Sequence, residues 1–158
     1  MTIHNERDNN HNSFRSRLIL HTDGGSRDRG KRYAAAAIVL TDGVKVVEER
    51  SWFLGEMTNN QAEYNGLIRG MEIARELGCK DLVCISDSQL MIRQLNNEYR
   101  VKKQHLKELY LQAKKLETNF SEVIYAHVTR EHPMIQRADE LLNTILDKHC
   151  GPSGFRKA

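Results

Sequence analysis

The feature that most constrains this chain is an acid closing a short apolar run: Leu18-Ile-Leu-His-Thr-Asp23, followed by Gly24, Gly25 and Ser26. Leu18 to Leu20 do not alternate with polar residues, so they read as a strand buried on both faces. A carboxylate at the rim of a core is disfavoured unless a cation or hydrogen-bond donors meet it. The two glycines allow a sharp turn and leave the approach to Asp23 uncrowded. The same design recurs in Leu82-Val-Cys-Ile-Ser86-Asp87-Ser88-Gln89. Two buried strands that each end in Asp predict one shared site at their C-terminal edge, where open α/β sheets place their ligands.

The chain has 158 residues, which suits one domain. Its formal net charge of +3 permits a polyanionic partner without requiring one, so charge placement must decide. Three cysteines, Cys79, Cys84 and Cys150, lack framework or metal-ligand spacing and read as reduced thiols. No window approaches 18 consecutive apolar residues, which predicts a soluble, cytoplasmic protein with no membrane partner.

Residues 1–16 are polar and Asn-rich and read as a flexible tail, residues 17–150 as one catalytic domain, and 151–158 as a second tail. After the first strand, Arg27 to Arg32 form a basic turn, and Tyr33 to Leu40 a strand of small residues. Asp42-Gly43 then signals a hairpin into Val44 to Leu54, making a three-stranded antiparallel meander. Thr58-Asn59-Asn60 precedes a helical pattern through Ala62, Leu67, Met71, Ala74 and Leu77 that stops at Gly78. The strand over 81–86 should lie parallel to the first by a right-handed crossover. A short helix from Ser88 to Leu95, a longer one through Leu106 and Ala113, a strand from Val123 to Val128, and a helix from Ala138 to His149 complete the pattern.

Helical spacing puts Glu63 on the face of Leu67, Gly70 and Ala74, and Asp139 at a helix start on the face of Leu142 and Leu146. Asp23, Glu63, Asp87 and Asp139 thus stand at element ends beside apolar surface. Singly, such acids are most often caps or turn formers. Together they are untenable without proton sharing or a cation, of which a divalent metal is the simpler answer, since two like charges about 4 Å apart repel by about 4 kcal/mol at an effective dielectric of 20. All-oxygen donors with no paired His or Cys favour Mg²⁺ or Mn²⁺, and two such ions roughly 3.5 to 4 Å apart suit phosphodiester hydrolysis.

Four motifs in order carry a resemblance: Thr22-Asp23-Gly24-Gly25-Ser26, Thr58-Asn59-Asn60-Gln61-Ala62-Glu63, Ser86-Asp87-Ser88-Gln89 and Arg137-Ala138-Asp139-Glu140-Leu141. Over residues 17–148 the chain resembles a type 1 ribonuclease H. The resemblance implies an α/β fold with a five-stranded mixed sheet of order 3-2-1-4-5 flanked by helices. It also implies hydrolysis of the RNA strand of an RNA/DNA hybrid to 3′-hydroxyl and 5′-phosphate ends by a two-metal mechanism. It assigns Asp23, Glu63, Asp87 and Asp139 to metal, with Mg²⁺ as cofactor and Mn²⁺ as substitute. Asn59, Asn60 and Gln89 match minor-groove contacts, and Thr58 a phosphate-pocket position. The chain is expected to act as a monomer with the hybrid as its partner.

The departures from the family pattern are specific. The family's Asn-Pro-Gly turn is replaced by the basic turn at 28–32, which is either a phosphate contact or a solvated segment. Ile135 stands where an Asn is common, and Thr129 at the spacing of a mobile His, with Arg130 and His132 nearby. Arg130 is the candidate for product release and His132 for proton transfer. A Trp-containing basic protrusion is absent. Residues 93–115 nevertheless carry seven Lys or Arg against two Glu, and Arg100, Lys102 and Lys103 are the expected backbone contacts, with Lys114 and Lys115 on a solvated face. The rival function is a non-catalytic nucleic-acid-binding module on the same fold.

Overall fold

The computed structural model describes residues 16–152. The strands are β1 (Arg17–Asp28), β2 (Arg32–Thr41), β3 (Val46–Glu56), β4 (Asp81–Ser86) and β5 (Glu122–His127); the helices are α1 (Asn59–Glu76), α2 (Gln89–Leu95), α3 (Gln104–Glu117) and α4 (Pro133–Cys150). They form one sheet of order β3-β2-β1-β4-β5. β1 pairs antiparallel with β2 and parallel with β4, and β4 pairs parallel with β5. The expected fold class holds in every strand position. Of the two expected tails, all but Ser16, Gly151 and Pro152 lies outside the described residues. Those three accept hydrogen bonds on their carbonyls, from the Lys80 amide, Arg27 and Arg29 respectively.

Local chemistry accounts for the boundaries. Asp42 Oδ1 accepts from the amides of Val44 and Lys45 and closes the β2–β3 hairpin, with Gly43 at φ 97°. Thr58 caps α1 in a capping box with Gln61, and Gly78 at φ 85° follows its end. Ser88 caps α2.

Two expectations are corrected here. Gly24 and Gly25 do not turn the chain, because β1 continues through them to Asp28 in register with β2. Their small size serves close approach instead: a Cβ on Gly24 would meet the backbone of Ala62 and Glu63 at 2.6 Å. The last helix begins at Pro133 rather than Ala138, because His132 Nδ1 accepts from the Met134 amide and Pro133 suits the first helical position. Asp139 therefore sits in the second turn.

The two sheet faces are unequal. Leu18, Leu20, Ile38, Leu40, Leu82 and Cys84 pack under α1, α2 and α3 in the larger core. Among the described residues, the other face is covered by α4, through Ala138, Leu142 and Leu146 against Ala35, Ala37 and Val39. α4 lies over β1, β2 and β3. The β4 strand is accordingly not buried on both faces as expected: Leu82, Cys84 and Ser86 are buried, while Val83 and Ile85 are half-buried.

Candidate active site

The β1–β4 pairing brings Asp23 and Asp87 together. Asp23 lies inside β1 beside Ala37, and Asp87 follows β4 directly. Ser86 Oγ accepts from the Ser88 amide and Ser88 caps α2, which fixes the backbone on both sides of Asp87. On the other side, Gly24 admits the first turn of α1 so closely that Glu63 hangs over the sheet edge. One oxygen from each of Asp23, Glu63 and Asp87 lies within 4.8 Å of the other two.

The electrostatics of this trio are unfavourable without a cation. Burial, then the charges of Asp87 and Asp139, push the Asp23 carboxyl up to about 8. Burial, then the charges of Asp23 and Asp87, hold Glu63 well above the usual carboxylate range. Glu63 Oε2 is buried and has no hydrogen-bond partner among the described residues. A buried acceptor left unpaired beside two more carboxylates fits a divalent cation with oxygen ligands.

Asp139 reaches the same place from the opposite face. It lines the cavity near enough for its charge to act on Asp23, but it is exposed and is not part of the tight trio. The cavity measures about 670 Å³ and is also lined by Asn59, Asn60, Ser88 and Arg130. Asn59 Oδ1 accepts from Ser26 Oγ, which ties the helix start to β1.

The remaining expected site residues stand further out. Thr58 and Gln89 are exposed and outside the cavity lining, Thr58 being occupied as a helix cap. His132 also stands outside the lining, with Nδ1 used as a cap and its ring 5.3 Å from that of buried His21. Arg100, Lys102 and Lys103 are exposed and line a neighbouring groove of about 470 Å³ together with Tyr99 and Asn60. Asn60 borders both spaces, so the groove adjoins the acid cavity.

Lys114 is not on a solvated face. Its Nζ donates at 2.6 Å to the Leu95 carbonyl and at 3.1 Å to Glu117, and it lies over the rings of Tyr110 and Tyr125. The basic turn is corrected as well, since Arg27 is 8% exposed and Arg27 and Arg29 are turned onto the end of α4. Ser26, Arg27, Gln136 and Asn143 line the cavity unforeseen. Reading Gly24-Gly25 as a turn concealed Arg27, for which the alternation of Asp23, Gly25 and Arg27 along one strand face was the available signal.

Residues 21–144 match the family model described as Reverse transcriptase-like. The bifunctional protein Rv2228c of Mycobacterium tuberculosis is 35% identical over 132 residues, 83% of this chain and 36% of that protein. This chain therefore spans about a third of that curated relative's length. The crystal structure of RNase H1 from the archaeon Halobacterium salinarum superposes with a TM-score of 0.78 at 35% identity, covering 84% of this chain and 98% of that one. LC11-RNase H1, solved in complex with an RNA/DNA hybrid, gives a TM-score of 0.77 at 33% identity over 84% and 98% of the two chains.

Proposed function

Because the chain belongs to the ribonuclease HI family, we propose that it is a metal-dependent endoribonuclease that hydrolyses the RNA strand of RNA/DNA hybrids, leaving 3′-hydroxyl and 5′-phosphate ends. The observation that carries this reading is the trio of carboxylates within 4.8 Å, one of them ending in a buried, unpartnered oxygen. A module that only gripped phosphates would gain nothing from converging negative charge.

Asp23, Glu63 and Asp87 would hold the cations, with Asp139 completing the set from α4. Two divalent ions of the Mg²⁺ or Mn²⁺ class, when bound, would polarise the scissile phosphate, activate water and neutralise the departing oxygen. The protein's own residues supply the rest. Asn59 and Asn60 present amides that both donate and accept, which suits the 2′-hydroxyls and base edges of a minor groove. Gln89 extends that contact along α2, and Thr58 meets a phosphate at the start of α1. Arg130, exposed at the cavity wall, holds the departing phosphate. His132 carries protons through Nε2, because Nδ1 is engaged as a cap. Arg100, Lys102 and Lys103 extend the grip along the backbone through the groove that meets the cavity at Asn60.

The test labels each strand of a hybrid in turn and adds Mg²⁺, Mn²⁺ or a chelator. Metal-dependent cutting of the RNA strand alone, with RNA and DNA duplexes left whole, is expected. Tight hybrid binding without cleavage in either metal would overturn the proposal in favour of a binding module.

A further inference from the structure

Arg27 lies four residues beyond Asp23 on the same face of β1, almost wholly buried at the wall of the acid cavity. Its guanidinium makes three hydrogen bonds to α4 and to the residue that follows it. Nη1 donates to Asp147 Oδ1 and, at 2.8 Å, to the Gly151 carbonyl; Nη2 donates at 2.8 Å to Asn143 Oδ1. Asn143 in turn donates from Nδ2 at 2.9 Å to the carbonyl of Asp139, one helical turn earlier. A short polar chain therefore joins β1 to the residue that meets Asp23 from the other helix.

The apolar contacts of α4 leave its position along the sheet weakly determined. Besides buried Ile135 and the partly buried Met134, Leu141 and Ile145, its residues Ala138, Leu142 and Leu146 rest on a floor of Ala35, Ala37 and Val39, a mostly small-residue surface that offers few ridges to lock a helix against sliding. A slip of one residue displaces Asp139 by about 1.5 Å and turns it about the axis, which carries its carboxylate away from the cavity wall it shares with Asp23. A planar fork that reaches three acceptors on two turns and the terminus sets both slide and rotation, which a lysine's single ammonium cannot. The Asp147 partner is half exposed, and an ion pair with one member in water contributes little net stability, so stability alone gives a weak reason for burying an arginine here.

We infer that Arg27 is a positioning residue, which registers α4 on β1 and so holds Asp139 at the metal site. The inference rests on the metal-binding reading above. Its test compares wild type, Arg27→Met, Arg27→Lys, Asp139→Asn and the Arg27→Met/Asp139→Asn double variant. Mn²⁺ binding to the protein alone is measured by calorimetry, well below each melting midpoint. Arg27→Met should weaken Mn²⁺ binding roughly tenfold, the lower end for groups that orient metal ligands. Arg27→Lys, which keeps the buried cation and loses only the fork, should fall between Arg27→Met and wild type. In the Asp139→Asn background the Arg27→Met effect should vanish, as expected when one residue acts through the other.

If both Arg27 variants only melt earlier and bind Mn²⁺ as wild type does while Asp139→Asn binds it more weakly, the inference fails and the metal site stands. It fails in the same way if the weakening caused by Arg27→Met persists undiminished in the Asp139→Asn background. If wild type does not bind Mn²⁺, or Asp139→Asn binds it unchanged, the assignment of Asp139 to metal fails first and the inference falls with it.

Discussion

The two helices that bring acids to the sheet edge are held in different ways. α1 delivers Glu63 by steric exclusion: Gly24, Gly66 and Gly70 leave room for no more than hydrogen, and a Cβ at any of them would meet Glu63, Thr22 or Leu20 atoms within 2.7 Å. α4 delivers Asp139 over a smooth alanine floor, steadied by the Arg27 fork and by Arg137 paired to Glu49 through two hydrogen bonds. Steric placement is stiff because close-packed atoms cannot give way, whereas polar placement depends on ionisation and on groups that water can reach. The difference teaches that Glu63 is built into the fold, while Asp139 is adjusted onto it.

Asp23 meets both helices, so removing it should have the largest effect. Asp23→Asn should lower cleavage on the order of 10³-fold or more, by analogy with loss of one preorganised electrostatic group. It should also change how metal-free stability varies with pH. Since the folded state raises this carboxyl from 3.8 to about 8, it binds more protons than the unfolded chain in that interval, and stability must fall as pH rises through it. Glu63 shifts in the same direction. Asp23→Asn should flatten that decline, measurable by denaturant titration in chelator. Cleavage near the wild-type rate, or an unchanged slope, would break the account of the site.

Gly24→Ala tests the stiff side directly. The added methyl meets backbone, so α1 must move, at a cost of about 1–3 kcal/mol with cleavage reduced because Glu63 moves with it. Equal stability by denaturant titration and unaltered cleavage would show that α1 is no more rigidly held than α4.

Changes in the linker should leave both helices alone. A triple alanine variant at Arg100, Lys102 and Lys103 should flatten the log affinity against log salt line by about 0.7 to 0.9 for each phosphate no longer neutralised, with melting unchanged. A wild-type slope would make the linker only a connector.

The smallest effect belongs to the polar clasp of α4. Arg137 holds the Glu49 carboxyl below its ordinary value, so the pair's contribution is present above the unfolded pKa and lost as pH falls through the folded one. Glu49→Gln should cost less than about 1 kcal/mol near neutrality and nothing in acid, the opposite sense to Asp23. A cost that grew in acid would reverse the assignment.

Much of this was legible in the chain itself. The strand types, the hairpin at Asp42-Gly43, the stop at Gly78 and the order of the four acid-bearing motifs all rest on local chemistry, on side-chain periodicity and turn preference within a few residues. What lay beyond reach depended on neighbours far away in sequence. Gly24-Gly25 looks like a turn until Ala62 and Glu63 are seen to need the space, and the basic segment looks solvated until Asn143, Asp147 and Gly151 are seen to accept from Arg27. His132 reads as a proton carrier in the sequence, yet it also caps a helix that Pro133 starts earlier than the apolar pattern does. Sequence by itself determined which acids are present and on which elements they ride, because a strand end or a helix face is a property of a few consecutive residues. Only tertiary structure decided that three of them meet within 4.8 Å while the fourth stays exposed at the rim, because distances between elements follow from how closely their surfaces can pack.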